Sequence, residues 1–256
     1  MKLRAMVIFV LFLLISTIVF AAHPVGQGGK WSLIFHEPFN GSTLNAAAWK
    51  PNWFGTTDSA ITRPVSSLEL ACYDPAHVAV ANGVLSITAT VDPCTAENGL
   101  QFAYTSGIIQ SNQRFMFTYG YIEARLWTPA GVGVWPAWFT DGQNWPYDGE
   151  IDILEAYGTN QSSYHYHYYG VQCPGGDCNP GGSTVVNNAT AGWHVYAAYW
   201  QPGSITWFYD GIRVFQYTTA ITSSPHYLII NLGVKSPGIV ESEVLKVDYI
   251  KVWRRG

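Results

Sequence analysis

Asp148-Gly149-Glu150-Ile151-Asp152-Ile153-Leu154-Glu155-Ala156-Tyr157-Gly158 interleaves three acids with large apolar residues. Side chains on a β-strand alternate between its faces, so Glu150 and Asp152 point one way while Ile151 and Ile153 enter the opposite layer. Glu155 stands three positions after Asp152, and strict alternation would turn its carboxylate toward the apolar side, where an unpaired charge is costly. One inserted residue, a β-bulge at Ile153 and Leu154, returns Glu155 to the acidic face and bends the strand. The segment therefore predicts a bulged strand carrying three carboxylates on one face.

Short β-branched and aromatic runs surround it: Trp31 to Phe35, His77 to Val80, Val84 to Val91, Gly107 to Gln110, Phe115 to Tyr119, Gly120 to Trp127, Val134 to Phe139, Tyr164 to Tyr169, His194 to Trp200, Ser204 to Tyr209, Ile212 to Tyr217, His226 to Asn231 and Val244 to Trp253. Gly, Pro, Asn and Asp cluster between them. Beyond residue 22 no segment shows a 3.6-residue apolar stripe over three or more turns. The pattern predicts an all-β antiparallel sandwich or jelly roll, as one domain over residues 23–256.

A content of 48% hydrophobic residues in 256 provides for a sizeable core and excludes disorder. Residues 1–22 carry Lys2 and Arg4, then an apolar stretch ending in Ala21 and Ala22, which reads as a secretory signal peptide; an uncleaved membrane anchor is the alternative. No second such stretch follows, so after cleavage no membrane association is expected. Removing the leader takes away two cations and no acid, moving the formal charge from −4 to −6. Such a charge gives no electrostatic reason to bind nucleic acid. Charged residues are 12% of the chain and aromatic ones 15%, with 11 Trp and 16 Tyr. Flat apolar faces with polar edges suit sugar rings, although most such side chains fill cores. Four cysteines in an exported chain point to disulfides, and neighbour pairing gives Cys72 with Cys94 and Cys173 with Cys178. A zinc site is disfavoured because no two cysteines stand at two-residue spacing.

Three adjacent carboxylates repel one another and raise the proton affinity of at least one. Retaining glycoside hydrolysis uses one ionised carboxylate as nucleophile and one protonated carboxyl as acid, about 5 to 5.5 Å apart. With one residue taken up by the bulge, the two glutamate Cα atoms stand about 13 Å apart. Their carboxyl groups meet that separation only if both side chains lean inward over Asp152.

The acidic stretch resembles the Glu-x-Asp-x-(x)-Glu signature of glycoside hydrolase family 16, in the longer form of laminarinases, agarases and carrageenases. Tyr119 to Arg125, Trp135-Pro136-Ala137, Trp145-Pro146, Trp207 to Gly211 and Val247 to Trp253 resemble family blocks in the same order. The resemblance implies a β-jelly roll with a concave substrate cleft, Glu150 as nucleophile, Asp152 as its helper and Glu155 as acid/base. It further implies an endo-acting hydrolase of β-1,3- or mixed-linkage β-1,3-1,4-glucan that needs no catalytic cofactor and works as a monomer. A β-galactan hydrolase, a wall-glycan transglycosylase and a non-catalytic carbohydrate-binding protein are the alternatives.

Trp135 and Phe139 share one strand face and are expected to stack on sugars, with Phe139 standing where the family usually has Trp. Trp145, just before the catalytic strand, is expected to wall the cleft. His165 and His167 share a face of the next strand, and the resemblance places His167 at the family's cleft histidine beside Glu155. A structural role for it and a two-histidine metal site are the other readings. Asn231 resembles a cleft-lining asparagine or is a buried amide. Leu68 occupies a sugar-binding Asn position, and Asn231 to Lys235 lacks the family's Ala and paired Gly. Glu37 and Asp248 match the family's structural calcium ligands, against two ordinary surface acids. Asn40, Asn160 and Asn188 lie in glycosylation sequons.

Overall fold

Period-two alternation builds two stacked sheets in the computed structural model, which describes residues 23–185, 189–190, 192–239 and 241–256. The expected leader, residues 1–22, and the sequon at Asn188 lie outside the described residues. Among those described, no helix is long and apolar enough to cross a membrane.

One sheet runs in the order Ile212–Tyr217, Ser204–Tyr209, His194–Gln201, Gly120–Trp127, Ser242–Arg255, Val84–Thr90, Tyr104–Ser106 and Ala71–Tyr73. Trp31–Glu37 and Val78–Ala81 add to its far side. The other runs Asp177–Cys178, Gln161–Tyr169, Glu150–Ala156, Val134–Asp141, His226–Val234 and Ile108–Gln110. The fold is the expected β-jelly roll, with one departure from an antiparallel sandwich. Ala71–Tyr73 pairs parallel with Tyr104–Ser106, because the long excursion between them lets the chain return in the same direction. Cys72 bonds Cys94 within that excursion, and Cys173 bonds Cys178, as neighbour pairing predicts.

The sheets enclose a core in which Trp138, Ile151, Ile153, Leu154, Ile230 and Trp207 are fully buried. Ile153 and Leu154 are sequence neighbours yet both belong to it, which strict alternation forbids. Register resolves the conflict: Asp152 pairs with His165 and Glu155 with Ser163, so three steps on one strand match two on the other. The bulge lies where the sequence predicts it. Its disrupted ladder is completed from the opposite sheet, where Trp207 donates Nε1–H to the Asp152 carbonyl at 2.8 Å.

Replacing Trp207 by Phe keeps an aromatic ring in the core but removes the donor. A buried carbonyl left unsatisfied costs about 1–3 kcal/mol, so Trp207→Phe should lower the urea midpoint accordingly. An unchanged midpoint would show that the bulge does not depend on this bond.

Candidate active site

Register sets the open face of the smaller sheet in rows. Glu150 faces Asp141 on one neighbouring strand and His167 on the other; Asp152 faces Phe139 and His165; Glu155 faces Ala137 and Ser163. His167 and Ser163 are four residues apart on an extended strand, so the two glutamates stand about 13 Å apart in backbone, as the bulge requires. The turn into the strand depends on Gly149, whose φ of +85° disfavours side chains. His226, fully buried, grips the same turn: Nε2–H donates to the Asp148 carbonyl and Nδ1 accepts from Thr140 Oγ1, both at 2.9 Å. On the outer side, Gly181 lets its strand close on His165, since a Cβ there would lie 2.0 Å from the imidazole.

Each carboxylate has distinct neighbours. Glu150 accepts Nε1–H of Trp145 at 2.5 Å. Glu155 accepts Nε1–H of Trp135 at 2.8 Å and stands 2.6 Å from His165 Nδ1 as an ion pair. His167 places Nε2 3.4 Å from Asp152 and Nδ1 2.9 Å from Asp177. With a carboxylate at each nitrogen, its charged form, the imidazolium, is favoured.

Proton affinities follow. Burial, then the charge of Asp152, pushes Glu150 well above the ordinary carboxylate range, against the opposing pull of His167. Burial also raises Asp152, with His167 again opposing. Burial acts on Glu155 too, but His165 and Trp135 outweigh it and hold the group low. His165 is raised by its bond to Glu155. For His167, burial is outweighed by Asp152, Glu150 and Asp177, which lift it to about 10.

Several expectations need correction. His165, not His167, stands beside Glu155: Glu155 pairs with Ser163, two residues from His165, whereas His167 pairs with Glu150 at the other end of the row. Phe139 shares the open face with Trp135, but it is only 4% exposed, packed with Trp53, Tyr227 and Ile229 under the segment that carries Trp53. It is a core residue rather than a sugar platform. Asn231 is likewise buried, its Nδ2–H donating to Tyr73 Oη at 2.6 Å, while Tyr73 donates to buried Glu69. That supports the buried-amide reading. Leu68 is exposed and supplies no polar contact in place of the missing Asn. Trp135 is half-buried and tilts against Tyr157, with the Lys235 ammonium 4.5 Å above its ring. Trp145 is exposed beside Glu150 as a wall residue would be.

The expected calcium pair does not form a site. Glu37 is buried and accepts from the Phe39 N–H and Trp49 Nε1–H, and Asp248 is ion-paired to Arg125 at 2.7 Å. A calcium ion needs six to eight oxygens; these two acids are already engaged with protein donors. Asp152, Glu155 and His165 bring ligand atoms within 4.8 Å of one another, but His165 and Glu155 bond directly as an ion pair, not as a metal centre. Among residues absent from the sequence reading, Asp141, Tyr227 and Asp177 join the carboxylate rows. Asp141 and Tyr227 sit in runs whose other members are plainly core-forming, and only register brings them to Glu150.

Fold and site together define a class: a β-jelly roll with a row of carboxylates on the open face of one sheet. The model of the glycosyl hydrolases family 16 matches residues 69–234, and the chain belongs to that family. The glucan endo-1,3-beta-glucosidase A1 of Niallia circulans is 30% identical over 87% of this chain and 38% of its own length. A beta-glucanase of Rhodothermus marinus is 28% identical over 99% and 97% of the two chains. An endo-beta-1,3-glucanase structure from Pyrococcus furiosus superposes with a TM-score of 0.77 at 25% identity, covering 90% of this chain and 97% of that one. The chain thus spans well under half of the Niallia protein and nearly all of the Rhodothermus one.

Because His165 holds Glu155 ionised, His165→Gln should raise the Glu155 proton affinity. Carboxyl carbon shifts followed by NMR across a pH titration should move Glu155 upward in the variant; an unmoved midpoint would mean the contact carries no charge.

Proposed function

We propose that this chain is a secreted endo-β-glycan hydrolase of the retaining type, acting on β-1,3- or mixed-linkage β-1,3-1,4-glucan. Residues 1–22 serve as its leader and residues 23–256 as its catalytic domain. The observation that carries the reading is the row Glu150, Asp152 and Glu155 on one bulged strand, each buried or half-buried, with an indole N–H donated to each glutamate and the His167 ring 3.4 Å from Asp152. The names of the relatives support the glucan, and the two disulfides support an oxidising compartment.

Glu150, ionised, attacks the anomeric carbon. Trp145 Nε1–H orients the carboxylate, and the nearby imidazolium of His167 offsets the repulsion from Asp152. Glu155 gives its proton to the leaving oxygen, then takes one from water that hydrolyses the glycosyl-enzyme. In the free chain the protons sit the other way: Glu155 is held ionised by His165, while burial and Asp152 favour protonated Glu150, which releases its proton to solvent before it attacks. Transfer of one proton from His165 Nδ1 to Glu155 across the 2.6 Å contact makes the acid and leaves a neutral pair. A sugar covering the pair removes water and favours neutral partners over charged ones. The working charge state thus arises on substrate binding. A non-catalytic binding role is the lesser reading, since it would not need both glutamates.

Reducing-sugar release from laminarin and lichenan should fall by about 10²-fold or more in Glu150→Gln and Glu155→Gln. Full activity in either variant, or no activity of the unaltered protein on any β-glucan or β-galactan, defeats the assignment. Proton NMR of the first product should show the β-anomer at the new reducing end.

A further inference from the structure

A fourth carboxyl belongs to the carboxylate row. Asp141 ends the strand Val134–Asp141 and lies directly opposite Glu150, the pairing that brings Cβ atoms to about 4.5–5.5 Å. On its other side it lies opposite Tyr227, whose hydroxyl donates to Oδ2 at 3.3 Å. Asp141 is 7% exposed, and its Oδ1 is buried without a hydrogen-bond partner among the described residues. Among the described residues no lysine or arginine forms an ion pair with it.

We propose that Asp141 is a positioning residue that controls the charge state of Glu150 and thereby sets the acid limit of activity. The groups facing it are Glu150 and Asp152 from the catalytic strand, His167 from the strand beyond and Tyr227 from its other neighbour. Only His167 is cationic, and it is already shared between Asp152 and Asp177. Asp141 and Glu150 therefore cannot both be ionised cheaply, and they titrate as a pair. Burial raises Asp141 to about 7, and Asp141 in turn adds to the upward push on Glu150. In the singly ionised pair only the fraction with its charge on Glu150 can attack, so the acid limb of activity stands higher than Glu150 alone would set it. A neutral amide at position 141 leaves the charge to Glu150.

The inference rests on Glu150 as nucleophile, and the two fail differently: full activity in Glu150→Gln removes the nucleophile, whereas the test below concerns only where the acid limb lies. In kcat/KM profiles from pH 3 to 9 on laminarin, Asp141→Asn should move the acid limb to lower pH, and Asp141→Glu should keep it near its original place. A limb that stays put in Asp141→Asn overturns the proposal, because a purely structural aspartate would lower the rate without moving the limb. Stability gives a second readout where the variant is too slow to profile. A carboxyl raised in the folded state binds more protons than in the unfolded chain between about pH 4 and 7, so stability falls as pH rises through that window. Asp141→Asn removes this loss, and its melting temperature relative to the unaltered protein should be more favourable at pH 8 than at pH 4. An equal difference at both pH values overturns the proposal.

Discussion

Two consecutive large side chains, Ile153 and Leu154, both enter the core between the sheets, and most of the site follows from that packing. Burying each one stabilises the fold by roughly 1.5–3 kcal/mol. A strand can place neighbours on one face only by bulging, and the bulge aims Glu155 out beside Asp152 and Glu150. Apolar burial thus does the positioning that a charged cluster could not do for itself, since like charges would spread apart. Trp207, reaching from the opposite sheet to the Asp152 carbonyl, ties the bulge to the far side of the core.

The price of concentrating acids on one surface is proton management. Glu155 is held ionised by His165, and His167 lies between Asp152 and Asp177 as a fixed cation. Trp135 and Trp145 each offer an indole N–H to one glutamate, so each aromatic wall also orients the carboxylate it borders. The charge pattern of the free chain is therefore a resting state. Under the proposed function, a sugar covering it would change the dielectric around the Glu155–His165 pair and, with it, the side on which the shared proton rests.

Local pattern made much of this legible. Period-two runs such as Gly120–Trp127, Ser204–Tyr209 and Ile212–Tyr217 coincide with their strands at both ends, because alternation and flanking turn residues act locally. Short strands such as Tyr104–Ser106 leave no local signature, because three residues carry no period and are held by a distant neighbour. Alternation places Phe139 and Trp135 on one face. Whether that face was open at each position depended on the segment bearing Trp53, which is remote in sequence.

The sequence by itself determined the class of fold, the disulfide partners, the bulge and the three carboxylates that share its face. Each of these follows from side-chain alternation, spacing or chemistry within a short stretch of chain. Only the tertiary structure decided which histidine meets Glu155, that Asp141 stands against Glu150, and that Phe139, Asn231 and Glu37 are enclosed. Those outcomes depend on register between strands and on what lies over them. A shift of two residues in pairing exchanges His165 for His167 on the same face, and no local pattern fixes that shift.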